Sequence, residues 1–412
     1  MIALVTALLA FTAKPADHVM VVWIDDFGRA DWEATELPRL HSLEAAGLTF
    51  TRAYANPYCS PTRFTAQFGE YGFRHGIVMP IKDTSPVAAP LEGLTSLGQL
   101  FKDQGFATLH AGKWHLSSAP ALGEEAFRNA PNHYGYDAAL AWSQGNLSLD
   151  GGEGHYDWTR YDNGKVRNET TYSTTAIVDA ARAWWKRTPG RKFANVCFNA
   201  PHLPLNSAPR DLLPEGHLTP ITERERFEGA LLAIGTELDR LLKVVDLEET
   251  YVIVLSDNGT PGTVARESGR NKGSIYEGGI NVPLFVLGPG IEPGKSDQLI
   301  HTVDLQATLA ELFGFDFTPP RDGVSFAGAL TGAAGSEREW VYCERGKPNG
   351  PKPFRKWVRT IRSADGYKLV VHADREGEST EQLFRLPDED TPIVDEARAQ
   401  ELREVLATLG DG

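Results

Sequence analysis

The run His18 to Ile24 is apolar without a break and ends in Asp25-Asp26. An unbroken run of that length predicts a strand buried on both faces of a parallel sheet. Leu37, Leu40, Leu43 and Ala46 then follow helical spacing, and Gly47 supplies the stop. The alternation repeats along the chain. A helix through Leu97, Leu100 and Phe101 ends near Gly105, and a strand Ala107 to His110 leads into Gly112-Lys113-Trp114-His115. A helix over Tyr172 to Trp185 feeds a strand Phe193 to Phe198, which empties into Ala200-Pro201-His202. A long amphipathic helix from Thr222 to Val244 precedes the strand Tyr251 to Leu255 and the sequence Ser256-Asp257-Asn258-Gly259. The strand Pro283 to Leu287 and the helix Val303 to Phe313, closed by Gly314, complete this layer. Only Ser117 to Thr171 breaks the rhythm. Rich in Gly, Asn and aromatics, it predicts a long irregular insertion.

Beyond Pro319-Pro320 the texture changes to short strands separated by turns: Trp340 to Glu344, Trp357 to Arg362, Tyr367 to Val371 and Gln382 to Arg385. A helix from Val394 to Leu409 is expected to cover them. The order implies an α/β fold with a large, mainly parallel sheet flanked by helices, over residues 18–320, followed by a smaller C-terminal α+β subdomain over 321–412. Residues 1–17 stand apart. Met1 to Ala13 is apolar, too short to span a bilayer, and fits either a signal-peptide h-region or an apolar tail. The first of these makes the protein periplasmic or secreted; no stable membrane span is expected.

Composition narrows the function. With 41 Lys+Arg against 55 Asp+Glu the net charge is -14, which disfavours nucleic acid and anionic membrane as partners. A positive site for an anionic substrate must therefore be local. Three cysteines, Cys59, Cys197 and Cys343, give no disulfide framework, and Cys197 sits in an apolar run that reads as core.

In open α/β sheets ligands collect beyond the carboxyl ends of the strands, and the unusual polar residues fall there. Asp25-Asp26 and Asp257-Asn258 follow two different strands and offer oxygen ligands to a hard divalent cation. Each pair alone is also an ordinary turn or cap. Lys113 with His115, His202, and Lys272 in Asn271-Lys272-Gly273-Ser274 occupy similar positions and can together surround a tetrahedral anion. In Cys59-Ser60-Pro61-Thr62-Arg63, Pro61 suits a first helical turn and Ser60 an N-cap, which places Cys59 at a helix N-terminus with Arg63 one turn on. Such a site suits ester hydrolysis at phosphorus or sulfur.

These residues carry a resemblance. Cys59-Ser60-Pro61-Thr62-Arg63 resembles the Cys-x-Pro-x-Arg motif of the type I, formylglycine-dependent sulfatases of the alkaline-phosphatase-like superfamily. Gly112-Lys113-Trp114-His115-Leu116, Ala200-Pro201-His202-Leu203-Pro204, Ser256-Asp257-Asn258-Gly259 and Lys272-Gly273-Ser274-Ile275-Tyr276-Glu277-Gly278-Gly279 are similar to that family's later blocks, in its order. The resemblance implies a sulfuric ester hydrolase in which Asp25, Asp26, Asp257, Asn258 and the formylglycine made from Cys59 hold one Ca2+ or Mg2+. It implies that Arg63 orients residue 59 and that one hydroxyl of the aldehyde hydrate attacks sulfur. It also implies that His115 takes the proton from the second hydroxyl to expel sulfate. Lys113 would bind sulfate, while Lys272 and His202 contact the sulfate and the ester oxygen, one of them protonating the leaving group.

A maturation enzyme that makes formylglycine is an implied partner, and a sulfated carbohydrate is the expected substrate by family analogy. Trp142, His155, Tyr156, Trp158 and Arg160 could line a sugar-binding wall or pack the insertion onto the sheet. Where the family commonly continues Leu-Thr-Gly-Arg, this chain has Gln67-Phe68-Gly69-Glu70, so Glu70 removes a common positive charge near the pocket and Phe68 alters a segment read by the maturation enzyme. Two alternatives stay open: a phosphonate or phosphate ester hydrolase of the same fold, and a non-catalytic anion-binding homologue whose Cys59 is never matured.

Overall fold

A computed structural model describes residues 16–147, 154–266, 269–318 and 322–410. Residues 1–15, which hold the apolar N-terminal run, and 319–321, where the predicted boundary near 320 falls, lie outside the described residues.

Ten strands make the main sheet: β1 (His18–Ile24), β2 (Leu48–Tyr54), β3 (Ala107–Lys113), β4 (Ala138–Ser143), β5 (Trp158–Asp162), β6 (Lys165–Glu169), β7 (Lys192–Cys197), β8 (Thr250–Ser256), β9 (Leu284–Leu287) and β10 (Gly294–His301). Their spatial order is β10-β2-β9-β8-β1-β7-β3-β4-β5-β6. β1 lies at the centre, parallel to β7 on one side and β8 on the other. Its alternation explains the two cores. Met20, Val22 and Ile24 face a layer with the helices Ser173–Arg187 and Glu223–Leu242, whereas Val19, Val21 and Trp23 face a layer with the helices Cys59–Phe68, Leu97–Asp103 and Leu305–Leu312. A strand buried on both faces reads as a continuous apolar run for this reason. The helix Glu223–Leu242 opens with a capping box in which Thr222 and Glu225 satisfy each other's backbone N–H groups.

Three features depart from the expectation. The segment Ser117 to Thr171 is not irregular: it holds three short helices and β4 to β6, which extend the sheet past β3. The β5–β6 hairpin turns on Asn163 and Gly164, both at positive φ, and Asn-Gly is the usual residue pair for such a turn. β2 and β10 were also absent from the prediction. β10 begins Gly-Lys-Ser-Asp-Gln on an exposed edge, so it carries no apolar run to read. β9 runs antiparallel between β8 and β2, the exception in the central part of the sheet.

The second sheet is wholly antiparallel: β11 (Trp340–Lys347), β12 (Lys356–Ser363), β13 (Tyr367–Asp374), β14 (Ser379–Arg385) and β15 (Asp388–Ile393). β15, Asp-Glu-Asp-Thr-Pro-Ile, is too polar to have been foreseen. The final helix, Glu396–Thr408, is capped by Asp395 and buries Ala399, Leu402 and Leu406 against Leu369 and Val371 of β13.

This sheet grips the loop that bears Lys272. Arg345 donates to Gly273 O, and Glu389 accepts from Glu277 N at 2.8 Å. The fully buried Lys368 Nζ lies 3.1 Å from Glu277 Oε1 and 2.7 Å from Glu389 Oε1, while Tyr54 donates to Glu277 at 2.8 Å. Removing one partner of a buried charge cluster leaves the rest uncompensated. Lys368→Met is therefore expected to cost about 3–5 kcal/mol, read as a lower urea midpoint; an unchanged midpoint would mean that Glu277 is neutralised elsewhere.

Candidate active site

The ends of β1 and β8 bring four oxygen-bearing side chains to one point. Asp25 and Asp26 follow β1, Asp257 and Asn258 follow β8, and all are at most 1 % exposed. Asp26 adopts a left-handed backbone, φ 65°, with its N–H 3.2 Å from Asp257 Oδ1. That turn aims adjacent carboxylates into one space.

The helix Cys59–Phe68 points its N-terminus there. Its N-cap is Tyr58, which makes no side-chain cap. The expected capping role of Ser60 is thereby corrected. Inside the first turn, Ser60 Oγ donates to His115 O at 2.7 Å and accepts from Ile81 N at 2.9 Å, tying the helix to two loops. Cys59 Sγ lies 3.2 Å from Asn258 Oδ1, 3.6 Å from Asp25 Oδ1 and 3.8 Å from Asp26 Oδ1. Ligand atoms of Asp25, Asp26, Cys59 and Asp257 all fall within 4.8 Å of one another.

Three cations ring this cluster. Lys113 Nζ is 2.6 Å from Asp25 Oδ2 and 3.5 Å from Cys59 Sγ. Lys272 Nζ contacts Asp26 and stands 3.7 Å from the same sulfur. Arg63 donates to Asp257 through Nε at 3.0 Å and to Lys113 O through Nη1 at 3.0 Å, with Nη2 3.7 Å from Asp25. His202 Nε2 is 3.6 Å from Asp26 Oδ2. His155, buried, bonds Ser173 Oγ at 2.6 Å and His202 O at 3.1 Å, so it holds the His202 turn; no motif in the sequence announced that role.

β3 delivers Lys113 through a close approach. Gly112 has φ 92°, and a Cβ there would lie 1.8 Å from Cys197 O. Only glycine permits this packing. His115, also left-handed at φ 62°, is held by its N–H to Gln144 O at 2.5 Å, and its Nδ1 has no hydrogen-bond partner.

Burial and charge set the protonation states. Burial, reinforced by Asp257, pushes the Asp25 carboxyl up to about 8 against the pull of Lys113. Burial opposes ionisation of Asp26 too, but Lys272, His202 and Lys113 outweigh it and hold that carboxyl below the usual range. Burial and Asp257 raise the Cys59 thiol well above its ordinary value, so as a thiol it is a poor nucleophile. Burial lowers His115 strongly, with Lys113 and Arg63 adding to it. Burial also brings His202 to about 3 despite Asp26.

Three buried acidic side chains and an amide oxygen facing one another are oxygen donors of the kind that suit Ca2+ or Mg2+. The donor set therefore fits one such ion. The residues the resemblance assigned to catalysis and metal binding, Asp25, Asp26, Cys59, Arg63, Lys113, His202, Asp257, Asn258 and Lys272, join this contact network, and His115 feels its charges.

Of the residues offered for a sugar-binding wall, most are engaged within the protein. Trp142 is fully buried and stacks on Tyr161 at 4.4 Å, Trp158 is buried, Tyr156 donates to Ser207 O, and Arg160 pairs with Asp162 and Glu169. These side chains pack the insertion. Glu70 pairs with His75 at 2.7 Å, beyond the far end of a ten-residue helix and so about 15 Å from Cys59. It is not a pocket charge, while Phe68 is a core residue against Phe64.

Comparison with known proteins gives the family and the fold. The family model described as Sulfatase matches residues 17–315. Arylsulfatase A of Homo sapiens is 28% identical over 378 residues, covering 80% of this chain and 70% of its own length. N-acetylgalactosamine-6-sulfatase of Canis lupus familiaris is 26% identical, covering 80% and 69%. The crystal structure of Ps i-CgsB in complex with k-i-k-neocarrahexaose superposes with a TM-score of 0.79 at 22% identity, over 97% of this chain and 93% of that one.

Metal binding is testable by stability. Ca2+ or Mg2+ added to chelator-treated protein is expected to raise the unfolding midpoint, by about 2.7 kcal/mol at a hundred times its dissociation constant. Asp257→Asn should abolish the increment. An increment of equal size in that variant would place the ion elsewhere.

Proposed function

The chain belongs to the Sulfatase family of sulfuric ester hydrolases, and from that premise we propose that it releases inorganic sulfate from a sulfated carbohydrate, using a formylglycine made from Cys59. One observation carries the reading. Motif residues scattered from position 25 to position 272 converge on a single sulfur atom: Asn258, Asp25, Lys113 and Lys272 all reach within 3.7 Å of Cys59 Sγ.

Asp25, Asp26, Asp257 and Asn258 would hold one Ca2+ or Mg2+, which when bound supplies Lewis-acid stabilisation of negative charge on the sulfuryl oxygens. The hydrated aldehyde at position 59 supplies the attacking hydroxyl and a second hydroxyl whose deprotonation expels sulfate. Arg63 anchors the helix start to Asp257 and Lys113 O, which fixes the direction in which residue 59 points. Lys113 and Lys272 hold the sulfuryl oxygens and offset their charge. The leaving alkoxide must gain a proton, and Lys272, which its pairing with Asp26 keeps charged, delivers it while His202 contacts the ester oxygen; His115 accepts the proton that ends the cycle. Asn258 follows Asp257 where a second metal would call for histidine, which favours one ion and a sulfate ester over a two-metal phosphatase.

The relatives whose names specify N-acetylgalactosamine 6-sulfate, and the neighbour bound to neocarrahexaose, support a carbohydrate as the alcohol. A maturation enzyme is the required partner, and the apolar run Met1 to Ala13 supports export to the periplasm or beyond. No helix among the described residues is long and apolar enough to cross a membrane.

Protein produced with a formylglycine-generating enzyme should carry an aldehyde at position 59 by peptide mass spectrometry and release sulfate from 4-nitrophenyl sulfate. Cys59→Ala should lose that release, and Lys272→Ala should lower kcat by about 10²–10⁴. Finding only unmodified Cys59, or faster turnover of a matched aryl phosphonate, would overturn the reading.

A further inference from the structure

Residues 198–209, between β7 and the short helix Arg210–Leu212, belong to no helix or strand, yet they carry His202. Such a loop needs outside support to hold an imidazole in one direction. Its first residues are tied to the sheet: Phe198 N donates to Trp23 O at 3.0 Å, and Asn199 Nδ2 donates to Ser143 Oγ at 3.0 Å and to Gly145 O at 3.1 Å. From His202 onward the ties come from three consecutive residues of the insertion, between β4 and β5. His155 Nε2 lies 3.1 Å from His202 O, His155 N donates to Asn206 Oδ1 at 3.0 Å, and Tyr156 donates to Ser207 O at 2.7 Å. Gly154, at φ 65°, packs so closely that a Cβ there would lie 2.2 Å from Pro204 Cγ.

His155 is itself anchored. It is 3 % exposed, its Nδ1 lies 2.6 Å from Ser173 Oγ, and its carbonyl accepts from Ser173 N at 2.9 Å. Ser173 opens the helix Ser173–Arg187, whose Ala176, Ile177 and Val178 are in the core beside β1. A backbone carbonyl only accepts, so His155 Nε2 carries the hydrogen toward His202 O and Nδ1 accepts from the Ser173 hydroxyl. Burial, which brings His155 down to about 4, keeps this neutral form in place. The chain of support runs from a core helix through one imidazole to the backbone of another.

We infer that His155 is a positioning residue: by holding His202 O it fixes the direction in which the His202 ring enters the anionic site, and Gly154 and Tyr156 brace the same loop. The inference rests on the sulfatase reading only in giving His202 its contact with the ester oxygen. A reacting group misplaced by about 1 Å costs up to about 10²-fold in rate.

The test compares two variants. His155→Phe keeps a planar ring and loses both ring hydrogen bonds, whereas His155→Gln retains a donor that reaches toward His202 O. With matured protein and 4-nitrophenyl sulfate, kcat should fall by about 10- to 10²-fold in the Phe variant and recover most of that loss in the Gln variant. In a His202→Ala background the loss should vanish, because nothing is left to position. Trp158→Phe removes a bond to Thr171 O in the same insertion without touching the loop, and its kcat should stay within about twofold of the parent while its urea midpoint falls. Losses that add in the double variant, or an equal loss in Trp158→Phe, would make the role merely structural and overturn the inference. Crystal structures of unmatured protein need no activity. They should show the His202 ring displaced by about 1 Å or more in the Phe variant and in place in the Gln variant; an unmoved ring in the Phe variant overturns the inference. A parent enzyme inert toward the aryl sulfate, with the ring displaced as stated, would sink the sulfatase chemistry and leave the positioning role standing.

Discussion

Three carboxylates within 4.8 Å of one thiol, all out of contact with water, are the constraint around which this molecule is arranged. Repulsion among them is severe at that depth, and the surrounding protein answers it with Lys113, Lys272 and Arg63, each contributed by a different element. None of these contacts is local in sequence. The centre therefore exists only when the sheet has closed, and each cation depends on separate packing: Lys113 on the Gly112–Cys197 approach, Arg63 on its helix, Lys272 on the second sheet.

The opposing charges also divide the labour of the site. Carboxylates gather on the sheet side, where Asp25 and Asp257 follow adjacent buried strands, and the lysines stand over them. A monoanionic sulfate ester approaching this surface meets cations first and finds the acidic groups already partnered.

Much of this was legible in the sequence because the relevant residues follow apolar runs. β1, β3, β7 and β8 are central strands, their composition is continuous, and the polar residues that end them stand out. Edge elements gave no such signal. β10 and β15 are polar, β2 is partly exposed, and β4 is a short run of Ala, Leu, Trp and Ser, so pattern alone could not separate them from loop. The aromatic residues of the insertion misled for the opposite reason: a sequence cannot say whether Trp142 stacks on a sugar or, as here, on Tyr161. Neither could it show that Ser60 bridges two loops rather than capping, or that His155 supports His202, because both roles lie in long-range contacts.

The grip of the second sheet on Gly273 and Glu277 divides the molecule into a conservative edge and a permissive one. Any insertion that tilted β11 to β15 would be transmitted through Arg345 and Lys368 to the ammonium group above position 59. The opposite edge, from β4 outward through the β5–β6 hairpin, carries no ligand of the central cluster among the described residues, yet it forms the wall of a separate cavity. A change in the length or charge of that hairpin is therefore felt in that cavity and leaves every side chain in contact with position 59 where it is.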